Sequence, residues 1–154
     1  MAKPSAGKQL RRFGGVDELA DAAELLDVTF LEISGRRLFD RPEERREEDD
    51  RTSLLAWLRE ADDGTGLEVR CRLELGNTQA NFAVDAVAAF TVGEPFELEP
   101  ALQQEFIELI GVTILYPYLR ESVHSTAVKL GVDTPMLSLR NPWAAARQVQ
   151  HQGS

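Results

Sequence analysis

Cysteine is nearly absent from this 154-residue chain: Cys71 stands alone, so no intramolecular disulfide can form. A reducing compartment fits that lack, and the expected location is cytoplasmic. Histidine is scarce as well. His124 falls in a helical stretch and His151 near the end, and no set of His, Cys, Asp and Glu has metal-ligand spacing, so no metal and no cofactor are expected. No apolar run is long enough to span a bilayer, and the opening MAKPSAGKQLRRFGG has no apolar signal core, so membrane insertion and secretion are not expected. Cationic excess is missing too. Seventeen Lys and Arg face 26 Asp and Glu, and a net charge of −9 argues against nucleic acid as a partner. SAGKQ, residues 5–9, lacks the first glycine and the final Ser or Thr of a phosphate-binding loop and follows no strand. Ser122, His124 and Ser125 sit too close together on one helix to converge as nucleophile and base, and no GxSxG accompanies them, so no catalytic residue is assigned.

What is present is a clear change of hydrophobic period along the chain. Residues 1–15 read as a flexible basic tail, 16–146 as a single domain and 147–154 as a flexible C-terminal tail. VDELADAAELL, from Val16, places Val16, Leu19, Ala20, Ala23 and Leu26 on one helical face and predicts a short helix. From Asp27 the chain turns β-branched and aromatic through VTFLEISGRRLF, which predicts a strand with a bulge at Gly35. DRPEERREEDDRT is almost wholly charged and predicts a solvated crossover. SLLAWLREADDG fits either period; its short length, the DDGTG turn and the strand beyond favour a strand over 53–63. In LEVRCRLEL, Leu67, Val69, Cys71, Leu73 and Leu75 alternate with charged residues, giving one buried and one wet face and making Cys71 a core thiol. NFAVDAVAAFTV follows a GNTQA turn, so 53–63, 66–76 and 80–92 predict an antiparallel meander.

After Pro100 the period becomes helical up to the stop at Gly131. The expected fold is therefore α+β: a four-stranded antiparallel sheet, a meander after a long crossover, with a long helix on one face and a short N-terminal helix. Between Phe106 and Val123 apolar side chains occur on nearly every side of that helix, so a second cover, another subunit, is expected over Phe106, Ile110, Ile114, Tyr116, Tyr118, Leu119 and Val123. Pro117 predicts a kink near 113–117 or a helix that restarts there. Met136, Leu137, Leu139 and Trp143 crowd a Pro-punctuated loop, and Leu38, Phe39 and Trp57 flank the crossover; these are either loop-closing core or a binding surface.

The stretch Ile114-Leu115-Tyr116-Pro117-Tyr118-Leu119-Arg120-Glu121 resembles the signature of the SecB protein-export chaperones, an apolar pair before an aromatic-Pro-Tyr-x-Arg-Glu core. The order of elements over roughly residues 27–143 is similar as well. The helix before the first strand resembles the SecB-like branch associated with actinobacterial toxin–antitoxin systems. The resemblance implies a cytoplasmic homotetramer, a dimer of dimers, without catalysis. It implies a holdase whose apolar grooves keep unfolded or precursor polypeptides from aggregating, for protein export. It further implies client contacts at Leu38, Phe39, Leu54, Trp57, Met136, Leu137, Leu139 and Trp143. One departure is plain: after Trp143 there is only AAARQVQHQGS, without the acidic tail that contacts the translocase motor SecA, and only Asp85 matches the acidic sheet surface used for that docking. Chaperoning of a single antitoxin is the alternative within the family. A hotdog-type thioester enzyme is the rival of another class, disfavoured because its helix follows an early strand rather than a whole meander.

Overall fold

The structure is a computed structural model that describes residues 9–38, 51–135 and 137. Helix α1 spans Val16–Ala22, strand β1 Glu24–Arg37, β2 Arg51–Glu60, β3 Gly66–Gly76 and β4 Ala80–Thr91. Helix α2, Pro100–Phe106, runs through a π-helical turn, Ile107–Gly111, into α3, Val112–Leu130. The four strands form one antiparallel sheet in the order β1-β4-β3-β2. β2, β3 and β4 are the expected meander; β1 crosses over to pair with β4, which leaves β1 and β2 as the two edges.

The period-2 pattern of β3 sets the layers. Leu67, Val69, Cys71, Leu73 and Leu75 are buried on one face, in register with Phe90, Ala88, Ala86, Val84 and Phe82 of β4. The helices cover this face, with Phe90 and Phe106 edge to face at 5.1 Å and Leu115, Leu119, Val123 and Ala127 wholly buried from above. Burying such side chains is worth about 1.5–3 kcal/mol each before the entropy cost. Two glycines bring helix and sheet together. A side chain on Gly111 would collide with Val69 of β3, and one on Gly35 with Thr126 and Leu130 of α3. The helix thus starts above β3 and ends above the C-terminal end of β1.

Several local expectations are corrected. β1 begins at Glu24, so α1 ends at Ala22 rather than Leu26. Gly35 keeps register with Phe82; the bulges lie at Leu26 and Leu31 instead, and Gly35 makes room for α3. Pro117 sits inside α3, which neither restarts nor breaks there, and the helical irregularity is the π turn about two to three turns earlier. Pro117 and Thr113, four residues before it, are both exposed, so water can serve the carbonyl that proline leaves without an N–H. Gly131 ends α3 in the left-handed region at φ 68°, and the Val132 N–H donates to the Ala127 carbonyl at 3.1 Å.

The basic segment before α1 is not a free tail throughout. Arg11 makes a parallel bridge to Phe96, and its side chain pairs with Glu94 at 2.7 Å. Arg12 pairs with Glu97 at 3.1 Å, and Phe13 packs edge to face on Phe96 at 6.3 Å. No helix among the described residues is long and apolar enough to cross a membrane.

Candidate functional site

Three surfaces follow from how the sheet is covered. The first lies on the helix side of β1. Leu25, Phe30 and Ile33 share register with Phe90, Ala86 and Val84 and so face the helix layer, yet α3, which packs tightly on β1 at Gly35, leaves them only partly covered. Phe30 and Ile33 therefore remain 37% and 51% exposed. Tyr118, 45% exposed, projects toward them and meets Phe30 edge to face at 6.4 Å. Because β1 is also an edge strand, unpaired backbone groups run beside this apolar strip.

The expected interface residues divide sharply here. Phe106 and Leu119 are wholly inaccessible and Val123 nearly so, packed into the chain's own core. Those three are corrected to core; Tyr116 is buried too, and burial pushes its phenol above its usual range. Ile110 and Ile114 are half-buried against the core. Tyr118 alone of the seven is exposed, joined by Leu109 and Val128, which the expected interface did not include.

The second surface is the sheet face away from the helices. Alternation puts Ser53, Leu55, Trp57 and Arg59 of β2 on it, beside Glu74, Arg72, Arg70 and Glu68 of β3. Leu54 and Trp57, expected on one groove, are three residues apart in a strand and so point to opposite faces: Leu54 packs toward the core opposite Leu73, while Trp57 is exposed. The Arg70 guanidinium lies over the Trp57 ring at 4.9 Å. It also donates twice to Asp85, Nε to Oδ1 at 2.9 Å and Nη2 to Oδ2 at 2.6 Å. Arg72 joins Asp85 at 3.3 Å, Glu32 at 2.8 Å and Glu74 at 2.8 Å. These bonds, Arg70's first, hold the Asp85 carboxyl below its usual range despite its burial. The one acid matched to an acidic docking surface is thus already neutralised by two arginines.

The third lies beyond α3. Leu137 packs against the core and, with Pro117, Arg120 and Pro135, lines a hollow of about 510 Å³, where Thr134 Oγ1 and His124 Nδ1 are 3.1 Å apart. Leu38 is half-buried, and its N–H donates to the Gln79 carbonyl at 2.9 Å. Phe39, Met136, Leu139 and Trp143 lie outside the described residues.

Comparison with known proteins bears on the fold and the family. No protein-family profile matches the sequence. The SecB-like chaperone SmegB of Mycolicibacterium smegmatis is 37% identical over 127 residues, 82% of each chain. Among solved structures, the SecB-like chaperone Rv1957 of Mycobacterium tuberculosis, in complex with a ChAD peptide from the Rv1956 HigA1 antitoxin, matches with a TM-score of 0.62 at 19% identity. That match covers 80% of this chain and 94% of the other. With a fold of four antiparallel strands, a long C-terminal helix and a short N-terminal one, and with a relative this similar over this much of its length, the chain belongs to the SecB-like chaperones, which are not enzymes.

Proposed function

We propose that this chain is a holdase that binds non-native polypeptides through exposed apolar side chains and an open strand edge. The observation that carries the reading is the strip of Leu25, Phe30, Ile33 and Tyr118 beside the unpaired edge of β1. An unfolded segment has apolar side chains to bury and backbone groups to pair, and such a strip accepts both. Trp57 and Leu137, with Leu38, Phe39, Leu54, Met136, Leu139 and Trp143, are the further contacts in this reading, Leu54 from the core side of β2. A cytoplasmic homotetramer, assembled through part of the same exposed surface, would give several such strips and hence avidity for a long client.

Among clients, a dedicated antitoxin is favoured over general export precursors. The described sheet face offers no free acidic cluster of the sort that docking to SecA implies, since Asp85 is paired to Arg70 and Arg72. The structural neighbour's antitoxin peptide supports a polypeptide client of that kind. The test is suppression of aggregation for several unrelated unfolded proteins, followed by native mass spectrometry with each. Capture of all of them supports a general holdase, capture of one antitoxin alone supports the dedicated reading, and capture of none overturns both.

A further inference from the structure

At the end of the sheet where β1 finishes and β2 begins, the face away from the helices carries a cleft of about 730 Å³. Registered pairs build it. Arg36 of β1, Asn81 of β4, Gly76 of β3 and Arg51 of β2 form one straight row across all four strands. Ser34, Ala83, Glu74 and Ser53 form the next row on the same face. The floor is low because Ala83 is small and Gly76 has no side chain; a methyl on Gly76 would meet the Asn81 amide oxygen at 2.6 Å. The arginines stand at opposite rims. Both are exposed, and neither has an ion-pair partner among the described residues. The neighbouring Arg37 is spent differently: it points to the helix side and donates to the Leu130 carbonyl at 3.2 Å, at the end of α3. The one acid on the floor, Glu74, is held by Arg72 at 2.8 Å.

We infer that this cleft binds an extended acidic peptide segment with carboxylates four residues apart. Three strand spacings separate the two arginines, about 14 Å between their backbones. An extended chain rises about 3.3 Å per residue, so side chains at i and i+4 point the same way and lie about 13 Å apart. Two carboxylates at that spacing meet the two guanidiniums, each as a charge-assisted pair, while the intervening residues lie on Asn81, Gly76 and Ala83. Nucleic acid fits less well, because its affinity comes from neutralising a long row of phosphates and the cleft offers two arginines. The proposal goes beyond the chaperone reading and does not need it, since it concerns a folded cleft on the far side from the apolar strip.

The experiment is fluorescence anisotropy of a fluorescein-labelled hexaglutamate peptide with the full chain at low and moderate salt. Saturable binding that weakens with salt is expected. Arg36→Glu with Arg51→Glu should weaken it roughly tenfold or more, while Lys129→Glu on α3 should leave it unchanged, circular dichroism confirming that each variant folds. Absence of saturable binding overturns the proposal, as does equal loss in the Lys129→Glu control. Tighter binding of a labelled thymidine hexanucleotide than of hexaglutamate also overturns it, by making the cleft a phosphate site. Aggregation suppression by the double variant, measured alongside, keeps the two readings apart, because the apolar strip is untouched.

Discussion

Arg70 of β3 and Asp85 of β4 meet diagonally on the outer side of the sheet, joined by two hydrogen bonds at 2.9 and 2.6 Å. The carboxylate is almost fully buried although its face of the sheet is uncovered, because Arg70 and Arg72 lie over it. Asp85 therefore acts as a buried anchor for an arginine pair. Its folded-state pKa is lowered, so its stabilising effect is complete above the ordinary aspartate value of 3.8 and is lost as pH falls through the lower folded value. Asp85→Asn should cost about 1–3 kcal/mol at pH 7, given that Arg70 is partly exposed. Urea unfolding from pH 7 to pH 2 checks it: the gap between wild type and variant should shrink only below about pH 3.8.

Gly111 and Val69 make the corresponding test of helix–sheet contact. Gly111→Ala should destabilise the chain by about 1–3 kcal/mol, because the added methyl has no space above Val69. Combining it with Val69→Ala should recover part of the loss, a coupling that thermal unfolding of the four species in a double-mutant cycle would measure.

Exposed residues of β1 and buried residues of α3 should fail in different ways. Phe30→Asp or Ile33→Asp should lower the oligomeric state seen by native mass spectrometry, or weaken client capture, while leaving the fold intact, since both side chains are exposed in the single chain. Leu119→Ala should instead cost about 2–5 kcal/mol in folding stability, since the residue is wholly buried under the sheet.

Leu54 and Trp57 should separate by face. Trp57→Ala, on the open side, should change stability by roughly 1 kcal/mol or less while reducing capture of an unfolded client in an aggregation assay. Leu54→Ala should act chiefly through stability, because Leu54 packs against the core. Equal capture by wild type and Trp57→Ala would remove Trp57 from the binding surface.

Cys71 should be inert in the folded chain. Burial first, and the nearby Asp85 charge second, push its thiol up to about 12, so almost no thiolate is present at neutral pH. Labelling by a thiol-reactive dye at pH 7.5 should follow the rate of unfolding and become immediate in denaturant.

Much of this architecture was legible before any coordinates. LEVRCRLEL alternates so regularly that both the strand and its buried face could be read from it, and Pro100 and Gly131 marked the helix ends that the structure has. Other features were readable but misjudged. Once 53–63 is taken as a strand, the spacing of three between Leu54 and Trp57 already sends them to opposite faces. The apolar surplus of the long helix was equally visible, yet a helical stripe alone does not say which part the chain's own sheet covers. Phe106, Leu119 and Val123 went to the core against that sheet, and Tyr118 did not.

The sequence by itself determined the elements and their inward faces, because period and turn chemistry act over a few residues and need no partner. It also determined the family, through a likeness that runs over most of the chain. Only the tertiary structure decided what those faces meet. Gly35 and Gly111 set where the helix lies, and that placement leaves Phe30 and Ile33 partly exposed. Arg36 and Arg51 stand across a cleft because β1 joins the sheet beside β4 and not beside β2. Such choices rest on contacts between residues far apart in the chain, which no local pattern encodes.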